Sequence, residues 1–452
     1  MVEWLPKLRD NTGPVYLAIV EALASDIRTG RVVPGTQLMT QRDLANKLSL
    51  SVGTVSKAYA EAERRGLIVG EVGRGTFVRS RYDSSGDGIT RTINLTLNVP
   101  PLAGAEVALK GALTELAHRS NLAKLLDYLP HQGVYEHRNK ISAWLSARIF
   151  QCEPHNLFVT SGAQHAVWLA LSAIAREGDT VITEKYPYSG LSALAELERY
   201  RLAGVDLDEE GAIPDSLERV LKETGAKIVY LTPTLQTATG AVMGESRRKQ
   251  VAKLLRKYDA YLVEDDVYAF LLSKPRPPIT SFAPERGFYV TSFAKMLAPT
   301  LRAGCVSVPE KFHSRAITAL RAGSWMTSPL LAAVVVELME NGGLDDQIEL
   351  KRRRAADLGK QVRQALNGIS FPETNAFHYW LPMPDGYDVS DFIAQASARG
   401  INIAVSPSLP SDAPAKPGVR LCIGSIDNDD DLLTALREIS RLISRREFIS
   451  LL

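Results

Sequence analysis

A lysine at the end of an apolar run constrains this chain more than any other feature. Residues 288–293 read Phe-Tyr-Val-Thr-Ser-Phe, as in a buried strand, and Lys295 follows two residues later. A lysine at the end of a buried strand is shielded from water, so it can lose its proton and act as a nucleophilic amine. Ser292 and Arg302 flank it and can both serve a phosphate. The segment predicts a site for pyridoxal 5′-phosphate, which needs an aldehyde-capturing lysine and a phosphate cup.

Apolar strands alternate with helical stretches from about residue 93 onward, which predicts a mainly parallel sheet covered by helices. A long charged helix is predicted over Leu344–Leu366 and a last helix near Asp430–Ser444. These two helices belong to a smaller α+β subdomain that begins at about residue 338. The candidate strands of the sheet are Leu157–Thr160, Thr180–Thr183, Lys227–Thr232, Tyr261–Glu264, Gly287–Ser292 and Ala303–Val308.

The first eighty residues have a different pattern, with three short helical segments followed by a ribbon of two strands. This order is typical of a winged helix-turn-helix. A polar, glycine-containing segment follows and is interpreted as a flexible linker. The predicted elements cover residues 15–28, 40–48, 51–66, 67–72 and 76–78. The predicted domains are a winged helix over 1–79, a linker over 80–92 and a cofactor-binding domain over 93–452.

Net charge, cysteine spacing and hydropathy restrict the class of protein that this chain can be. The formal net charge of the 452 residues is +2, and the first eighty residues hold 11 Lys or Arg against 8 Asp or Glu. This asymmetry permits nucleic-acid binding but is too mild to establish it. The three cysteines lack metal or disulfide spacing, so no metal site is predicted. The sequence contains neither a membrane-spanning stretch nor a signal-peptide pattern at its start, which favours the cytoplasm.

Residues 30–78 resemble the GntR family of bacterial transcription regulators. The resemblance implies double-stranded DNA as a partner, and it departs from the family at Val52-Gly53, where an arginine is usual after the serine. The motifs that carry it are Pro34-Gly35, Gln41-Arg42-Asp-Leu44-Ala45, Leu48, Ser51, Thr54-Val55-Ser56-Lys57-Ala58-Tyr59, Gly66-Leu67 and Gly73-Arg74-Gly75-Thr76-Phe77-Val78.

Hydroxyl side chains cluster where the third helix begins, and such an end binds phosphates or base edges. Basic residues flank this end, and another basic residue lies on a glycine-supported wing tip that can enter the minor groove. Two alternatives remain open, in which Ser51 is only a helix cap and Arg74 only a solvated loop charge. The candidate DNA-binding residues are Arg42, Ser51, Thr54, Ser56, Lys57, Arg74 and Gly75.

From about residue 93 to the end, the chain resembles a fold type I aminotransferase. Thr160-Ser161-Gly162-Ala163-Gln164 opens a helix whose amides can hold a phosphate. The resemblance implies that Tyr188 stacks on the cofactor ring, although an ordinary core tyrosine is the alternative. In Glu264-Asp265-Asp266-Val267-Tyr268 it picks Asp265, rather than Asp266, as the carboxylate against the pyridine nitrogen, and it puts Tyr268 near the ring 3-hydroxyl.

The same resemblance implies further roles. Lys295 forms the internal aldimine, with Ser292 and Arg302 on the phosphate. Tyr128 reaches the phosphate of the partner subunit's cofactor. Arg420, which alone would be interpreted as a surface charge, grips an effector carboxylate. Thr237 replaces the family's usual asparagine near the cofactor 3-oxygen.

Outside these motifs, His378 is interpreted either as a residue that tunes effector choice or as a satisfied core histidine.

The combination resembles the MocR subfamily of GntR regulators. It implies a cytoplasmic, head-to-tail homodimer that binds DNA and senses an amino acid, an amine or pyridoxal 5′-phosphate itself through aldimine chemistry at Lys295. Two alternatives remain. One is a pyridoxal-phosphate-dependent aminotransferase that converts an amino acid to a keto acid and carries an accessory DNA-binding domain. The other uses the winged helix as a protein-interaction module.

Overall fold

The computed structural model describes residues 4–6, 14–28, 31–32, 36–65, 67–71, 75–78, 92–119, 122–369, 375–384, 387–411 and 417–449. The chain divides into two compact units, residues 1–91 and residues 92–452. The predicted linker, apart from Thr92, lies outside the described residues. The same is true of four motif segments, namely Pro34-Gly35, Gly66, Gly73 and the candidate DNA-binding residue Arg74.

The first unit contains the predicted helices and ribbon. Its elements are α1 (Val15–Arg28), α2 (Gln41–Leu48), α3 (Val52–Arg64), β1 (Ile68–Glu71) and β2 (Gly75–Val78). The two strands pair antiparallel. The Thr40 hydroxyl accepts the Asp43 N–H at 3.2 Å and caps α2. Buried residues recur with helical spacing along α3, at Val55, Ala58, Tyr59 and Ala62, so this unit has a hydrophobic core of its own.

The strands and helices of the second unit alternate over most of its length. Its strands are β3 (Ile93–Asn94), β4 (Leu157–Thr160), β5 (Thr180–Glu184), β6 (Arg201–Val205), β7 (Leu207–Asp208), β8 (Gly211–Ala212), β9 (Ile228–Leu231), β10 (Tyr261–Asp265), β11 (Gly287–Ser292), β12 (Gly304–Ser307), β13 (His378–Pro382), β14 (Ile401–Asn402) and β15 (Gly418–Cys422). Its helices are α4 (Ala105–His118), α5 (Tyr135–Arg148), α6 (Ala163–Ile174), α7 (Ser189–Glu198), α8 (Pro214–Thr224), α9 (Glu245–Lys257), α10 (Ile279–Phe282), α11 (His313–Gly323), α12 (Pro329–Glu340), α13 (Gly343–Ala365), α14 (Val389–Ser397) and α15 (Asp429–Ile449).

Seven strands form the central sheet in the order β4-β12-β11-β10-β9-β5-β6. Every pairing from β11 to β6 is parallel, whereas β12 runs antiparallel to both β11 and β4. Strands β4, β9 and β11 are buried at every position, as expected for a sheet covered by helices on both faces. The predicted α/β fold is therefore confirmed, with one antiparallel strand that the sequence does not reveal.

The start of this unit joins the part of the chain that follows α13. Strand β3 pairs parallel with β14, and the Cys422 N–H donates to the Leu95 carbonyl at 2.9 Å. Strands β13 and β15 pair antiparallel, and α14 and α15 pack in the same core. Within the described ranges, no helix is both long and apolar enough to cross a bilayer.

Candidate functional site

The parallel strands of the sheet end at one edge, and the predicted cofactor residues lie there. Asp265 is the last residue of β10, Ser292 is the last residue of β11, and Lys295 follows three residues later. The loops after β4 and β5 carry Gly162 and Tyr188. Ligands of open α/β sheets bind at the carboxyl ends of the strands. The topology thus brings these five residues to the edge where a ligand is expected.

Lys295 is half-buried and surrounded by polar groups of this edge. Its Nζ donates a hydrogen bond to the Asn98 carbonyl and lies 5.6 Å from the centroid of the Tyr268 ring. Burial lowers the pKa of Lys295 to about 8, and the charges of Arg420 and Arg302 act in the same direction. A substantial fraction of this amine is therefore uncharged and nucleophilic just above neutral pH.

This lowered pKa predicts how the amine reacts in cofactor-free protein. We expect acetylation of Lys295 by acetic anhydride to rise with pH to a midpoint near 8, because only the uncharged amine is a nucleophile. Lys360, which is exposed on α13, serves as the internal reference. Peptide mass spectrometry over a pH series measures both lysines. A Lys295 profile that follows the reference lysine would contradict the lowered pKa.

Asp265 is buried and has one carboxylate oxygen without a partner. Its Oδ2 accepts a hydrogen bond from the Tyr230 hydroxyl at 2.8 Å. Its Oδ1 is buried and has no hydrogen-bond partner among the described residues. Burial raises the pKa of Asp265 to about 6, because the ionised carboxylate is destabilised in the cofactor-free site. An unpartnered buried acceptor of this kind indicates that a donor from a ligand belongs beside it.

The two carboxylates next to Asp265 have other partners. Asp266 accepts a hydrogen bond from the Tyr289 hydroxyl at 3.1 Å. Glu264 accepts the Ile279 N–H at 2.8 Å and lies 3.6 Å from Nη1 of the fully buried Arg248. Successive residues of a strand point to opposite faces, and this alternation separates Asp265 from both neighbours. The Oδ1 of Asp266 is also buried without a partner among the described residues, so only the face of the strand separates the two carboxylates, and the choice of Asp265 over Asp266 stays a prediction.

The predicted phosphate cup lies where α6 begins. Gly162 is the N-cap, no side chain caps the helix, and the first N–H groups of a helix lack partners within it. The Arg302 Nη2 donates to the Ser161 carbonyl at 3.0 Å. Gly162 has a φ of +84°, and a Cβ there would lie 2.9 Å from the same nitrogen. Glycine is therefore favoured at this position, both by its positive φ and by the close approach of the Arg302 guanidinium.

Two members of the predicted cup form local hydrogen bonds in this structure. The Ser292 hydroxyl donates to the Ala303 carbonyl at 3.1 Å and accepts the Ala294 N–H at 3.2 Å. The Ser161 N–H donates to Nδ1 of His165 at 3.0 Å. Phosphate binding by these two residues stays a prediction, and it requires both groups to exchange their local partners.

Tyr188 packs tightly over the start of α7. A Cβ on Gly190 would lie 2.4 Å from Cε1 of Tyr188 and 2.2 Å from Oε1 of Gln164, so this position excludes any larger residue. The Gln164 amide donates to the Gly190 carbonyl at 2.9 Å. Burial raises the pKa of Tyr188, and the Asp265 carboxylate raises it further. The ring is therefore held rigidly at the same edge as Asp265.

His378 joins three segments of the site. Its Nε2 lies 3.0 Å from the Gln236 carbonyl, which only accepts, so this nitrogen carries the proton. Its Nδ1 then accepts from the Asn98 amide at 3.0 Å. The ring lies 5.5 Å from the Tyr268 ring, and burial lowers the pKa of His378 to about 4. His378 is therefore a neutral residue that joins the Asn98 side chain to the Gln236 carbonyl.

Arg420 lies on β15 and faces the same edge. Its Nη1 donates to the Thr237 carbonyl at 3.0 Å, and its Nε is buried without a partner among the described residues. The Thr237 N–H donates to the Thr232 hydroxyl at 3.4 Å. The positive charge of Arg420 lowers the pKa of both Lys295 and His378. The buried Nε–H therefore has no partner among the described residues and could serve an anionic group near the amine.

Tyr128 does not join these residues within the described chain. Its side chain is 79% exposed, and its ring packs edge-on against Trp325 with the centroids 5.9 Å apart. Trp325 is also half-exposed and accepts a hydrogen bond from His131 on its carbonyl at 2.7 Å. A role of Tyr128 in a second subunit's site stays a prediction.

Two residues of the site, Tyr230 and Asn98, carry no motif and were missed by sequence reasoning. Tyr230 supports Asp265, and Asn98 contacts both Lys295 and His378. The Gln236 amide oxygen accepts hydrogen bonds from the N–H groups of Ala238 and Thr239. These bonds shape the loop that contains Thr237, whose carbonyl Arg420 contacts. A tyrosine inside an otherwise aliphatic strand, Ile228–Leu231, is the one signal that marks Tyr230 in the sequence.

The candidate DNA surface lies at the N-terminal end of α3. Ser51 is its N-cap, accepting the Thr54 N–H at 3.1 Å and sharing a 2.9 Å hydrogen bond with the Thr54 hydroxyl. The Ser56 hydroxyl donates to the Gln41 amide oxygen at 2.7 Å. All three hydroxyls thus form hydrogen bonds within the helix-turn-helix itself. This agrees with the alternative in which Ser51 is only a helix cap.

The basic candidates on this surface have free side chains. Arg42 on α2 and Lys57 on α3 are both exposed. Val52 and Gly53, which stand where the family has an arginine, are exposed as well, and a Cβ on Gly53 would meet only the Ser51 hydroxyl at 3.8 Å. Gly75 opens β2 with a φ of +117°, where a glycine is favoured.

Known proteins share both units of this chain. A family model described as aminotransferase class I and II matches residues 90–436, and one described as bacterial regulatory proteins, gntR family, matches residues 15–78. A kynurenine aminotransferase from Pyrococcus horikoshii, solved with PMP, superposes with a TM-score of 0.73 at 24% identity, over 79% of this chain and 92% of its own. Pyridoxal 5′-phosphate is the cofactor that this fold implies.

Two curated relatives match across both units. The HTH-type transcriptional regulator YdeF of Bacillus subtilis is 28% identical over 89% of this chain and 88% of its own length. The vitamin B6 salvage pathway transcriptional repressor PtsJ of Salmonella typhimurium is 24% identical over 94% of this chain and 98% of its own. The chain thus belongs to the aminotransferase class I and II family and carries a DNA-binding domain of the gntR family in front of it, which is the architecture of MocR regulators.

Proposed function

We propose that this protein is a transcription regulator that holds pyridoxal 5′-phosphate and senses a small amino compound. The observation that carries the proposal is the pairing of Lys295, an amine with a pKa near 8, with the unpartnered oxygen of Asp265 in a chain that begins with a DNA-binding domain. The amine and the acceptor are the two groups that the cofactor requires. The DNA-binding domain makes regulation the better-supported use of them.

The residues of the site fit this cofactor. Lys295 would hold its aldehyde carbon, and the unpartnered Oδ1 of Asp265 would accept a hydrogen bond from its protonated ring nitrogen. Arg302 and the amides that open α6 would hold its phosphate, with Tyr188 against the ring. Ser161, Ser292, Tyr268 and Thr237 complete the proposed set. When bound, the cofactor supplies an electrophilic carbon and a ring that withdraws electrons.

The protein's own residues would select the ligand. The Arg420 guanidinium, with its free Nε, would bind a carboxylate of the effector and orient the effector's amine toward Lys295. Lys295 accepts the proton that the amine releases, because burial keeps its own pKa near 8. The Asn98 carbonyl gives the Lys295 ammonium a hydrogen-bond acceptor within the site.

A chain of hydrogen bonds would report this exchange. It runs from Lys295 to Asn98, from Asn98 to His378, and from His378 to the Gln236 carbonyl next to Thr237, which Arg420 contacts. Any movement of the Lys295 amine therefore changes the support of the loop that contacts Arg420. This arrangement supports a coupled response to amine and carboxylate, the two groups of an amino acid.

The regulatory form would be a cytoplasmic homodimer, in which Tyr128 of each subunit completes the phosphate site of the other. Exposed apolar residues around Tyr128, including Trp325 and Leu126, support such an interface. Residues 80–92 would transmit the change to the paired DNA-binding domains and alter their spacing on the operator.

The basic side chains of the DNA-binding domain give a quantitative prediction. Lys57→Ala should weaken operator binding and reduce the slope of log affinity against log salt by about one, because one phosphate contact is lost. Fluorescence anisotropy over a salt series measures the slope. Lys360→Ala, which removes an exposed lysine of the large unit, should leave it unchanged. An unchanged slope in Lys57→Ala would remove this residue from the DNA surface.

The proposed function is tested by selecting DNA with the protein. Duplexes enriched from a random pool are bound again with and without a panel of amino acids and amines. One ligand should change the affinity of the wild-type protein for the selected duplex. Failure to enrich any sequence at low salt would contradict the regulatory function and favour a role of the winged helix in protein interaction.

The aminotransferase remains the second candidate because most of its catalytic set is present. Lys295, Asp265 and Arg420 are shared with the regulator, and only turnover separates the two functions. Steady keto-acid production at an ordinary enzymatic rate, of about 1 per second or more, would favour the enzyme.

A further inference from the structure

A second polar cavity lies outside the residues assigned to the cofactor. It has a volume of about 290 Å³ and lies between α13, the loop before α4 and the segment that leads into α15. Neither Lys295 nor Arg420 lines it. Its lining residues are Pro101, Ala103, Leu350, Lys351, Arg354, Ile426, Asp427 and Asp429.

Lys351 is the anomaly of this cavity. The residue is only 1% exposed, and its Nζ has no hydrogen-bond partner in the described part of the chain. No carboxylate of the described residues forms an ion pair with it. Burial lowers the pKa of Lys351 to about 8, so the amine is still largely charged at neutral pH. A buried cation without a counter-ion is costly, which indicates that an anion is missing beside it.

The other charges of the cavity restrict what that anion is. Arg354 is already bound to Asp429, with Nη1 3.1 Å from Oδ2, and the Gln361 amide donates to the same oxygen at 2.9 Å. This pair is neutral and satisfied. What remains is the buried Lys351 ammonium and the exposed carboxylate of Asp427 at the segment leading into α15. A simple anion would satisfy the first group and be repelled by the second.

We propose that the cavity binds a small zwitterion of the amino-acid class, with its carboxylate on Lys351 and its cationic end toward Asp427. The apolar walls, Leu350, Ile426 and Pro101, would contact the body of the ligand. The volume is at the lower end for ligand pockets, which range from about 300 to 1,000 Å³, and it excludes a nucleotide or a cofactor.

The position of the cavity connects it to the cofactor site through a shared loop. Pro101 and Ala103 belong to the loop that carries Asn98, whose carbonyl accepts the Lys295 hydrogen bond. The same loop packs closely against α13, where a Cβ on Gly104 would lie 2.7 Å from Nε2 of Gln347 and 3.3 Å from Cδ2 of Leu350. A ligand between this loop and α13 therefore acts on the support of Lys295 without contacting it. The cavity would thus tune the response of the cofactor site.

Glycine betaine is the probe that separates this site from the cofactor. It has a carboxylate and a permanent cation but no primary amine, so it cannot condense with the cofactor aldehyde. Calorimetric titration of the full-length protein with its cofactor should show binding that Lys351→Met weakens roughly tenfold or more, the loss of one charged hydrogen bond. Asp427→Asn should weaken betaine several-fold and strengthen the binding of acetate, because the carboxylate that repels a simple anion is removed.

Two controls make the result unambiguous. Lys360→Met, the same substitution at an exposed site of α13, should bind betaine like the wild type. Arg420→Gln, which removes the proposed effector grip, should also leave betaine binding intact. The proposal is overturned by wild-type protein that does not bind betaine, by Lys351→Met protein that binds it normally, or by binding that is lost with Arg420→Gln. If Lys351→Met does not fold, the exposed Asp427→Asn variant carries the test.

Discussion

Lys295→Ala is expected to lose the visible absorption band of the bound cofactor completely, together with every effect of amino compounds on DNA binding. The reason is that the amine with a pKa near 8 is the proposed point of covalent attachment and of effector entry. DNA affinity without effector should remain, because residues 1–91 form a compact unit with a core of their own. Absorption spectra and anisotropy titrations of the variant measure both effects.

Lys295→Arg is the matched control for charge. It retains a cation at the position but cannot attach the aldehyde, so it should behave like Lys295→Ala in both measurements. A Lys295→Ala protein that still gives the full effector response would contradict the sensing mechanism, because Lys295 is the residue proposed to capture the ligand at the cofactor site.

Asp265→Asn is expected to change cofactor affinity and stability in opposite directions. Cofactor affinity should fall by roughly 10- to 100-fold, because the oxygen that would accept the hydrogen bond of the protonated ring nitrogen loses its charge. Cofactor-free protein should become more stable by roughly 2–3 kcal/mol near pH 7, because burial has raised the pKa of Asp265 from 3.8 to about 6. Asparagine can still accept the Tyr230 hydrogen bond.

The sign of the pH effect is specific to a raised carboxyl pKa. The penalty from Asp265 is fully present above pH 6, where the buried group is ionised, and disappears as the pH falls through 6 toward 3.8. The stability gain of Asp265→Asn should therefore vanish in acid. Asp266→Asn is the control, because Asp266 accepts a hydrogen bond from Tyr289 on the opposite face from Asp265, so its change should leave cofactor affinity unaltered. Denaturant unfolding at several pH values measures the gain, and equal cofactor losses in both variants would contradict the assignment.

Six of the seven strands of the central sheet were predictable because each is a short, largely buried run. Strands β4, β5 and β9 to β12 lie within about one residue of the predicted bounds. Strand β6, Arg201–Val205, was missed because it mixes a charge and a glycine into a half-buried edge. The pairing of β3 with β14 joins residues 93–94 to 401–402, and no local pattern can reveal so distant a pairing.

The site shows the same division between local and distant information. Motifs predict roles for Lys295, Asp265 and Arg302, because each stands at a strand end or in a loop with a chemical requirement. Asn98 and Tyr230 could not be found that way, because their roles depend on hydrogen bonds across the fold. Ser292 is the opposite case. Its motif predicts a phosphate contact, but in the fold its hydroxyl donates a hydrogen bond to the Ala303 carbonyl.

The central claim is that the protein senses an amino compound rather than consuming it. We would record the visible absorption spectrum of the protein with its cofactor during titration with amino acids and amines. The account predicts that one ligand shifts the absorption band to a new position that persists, and that the same ligand changes DNA affinity. A band that disappears with the amino acid and returns with a keto acid, over repeated cycles, would contradict the account and identify a working aminotransferase.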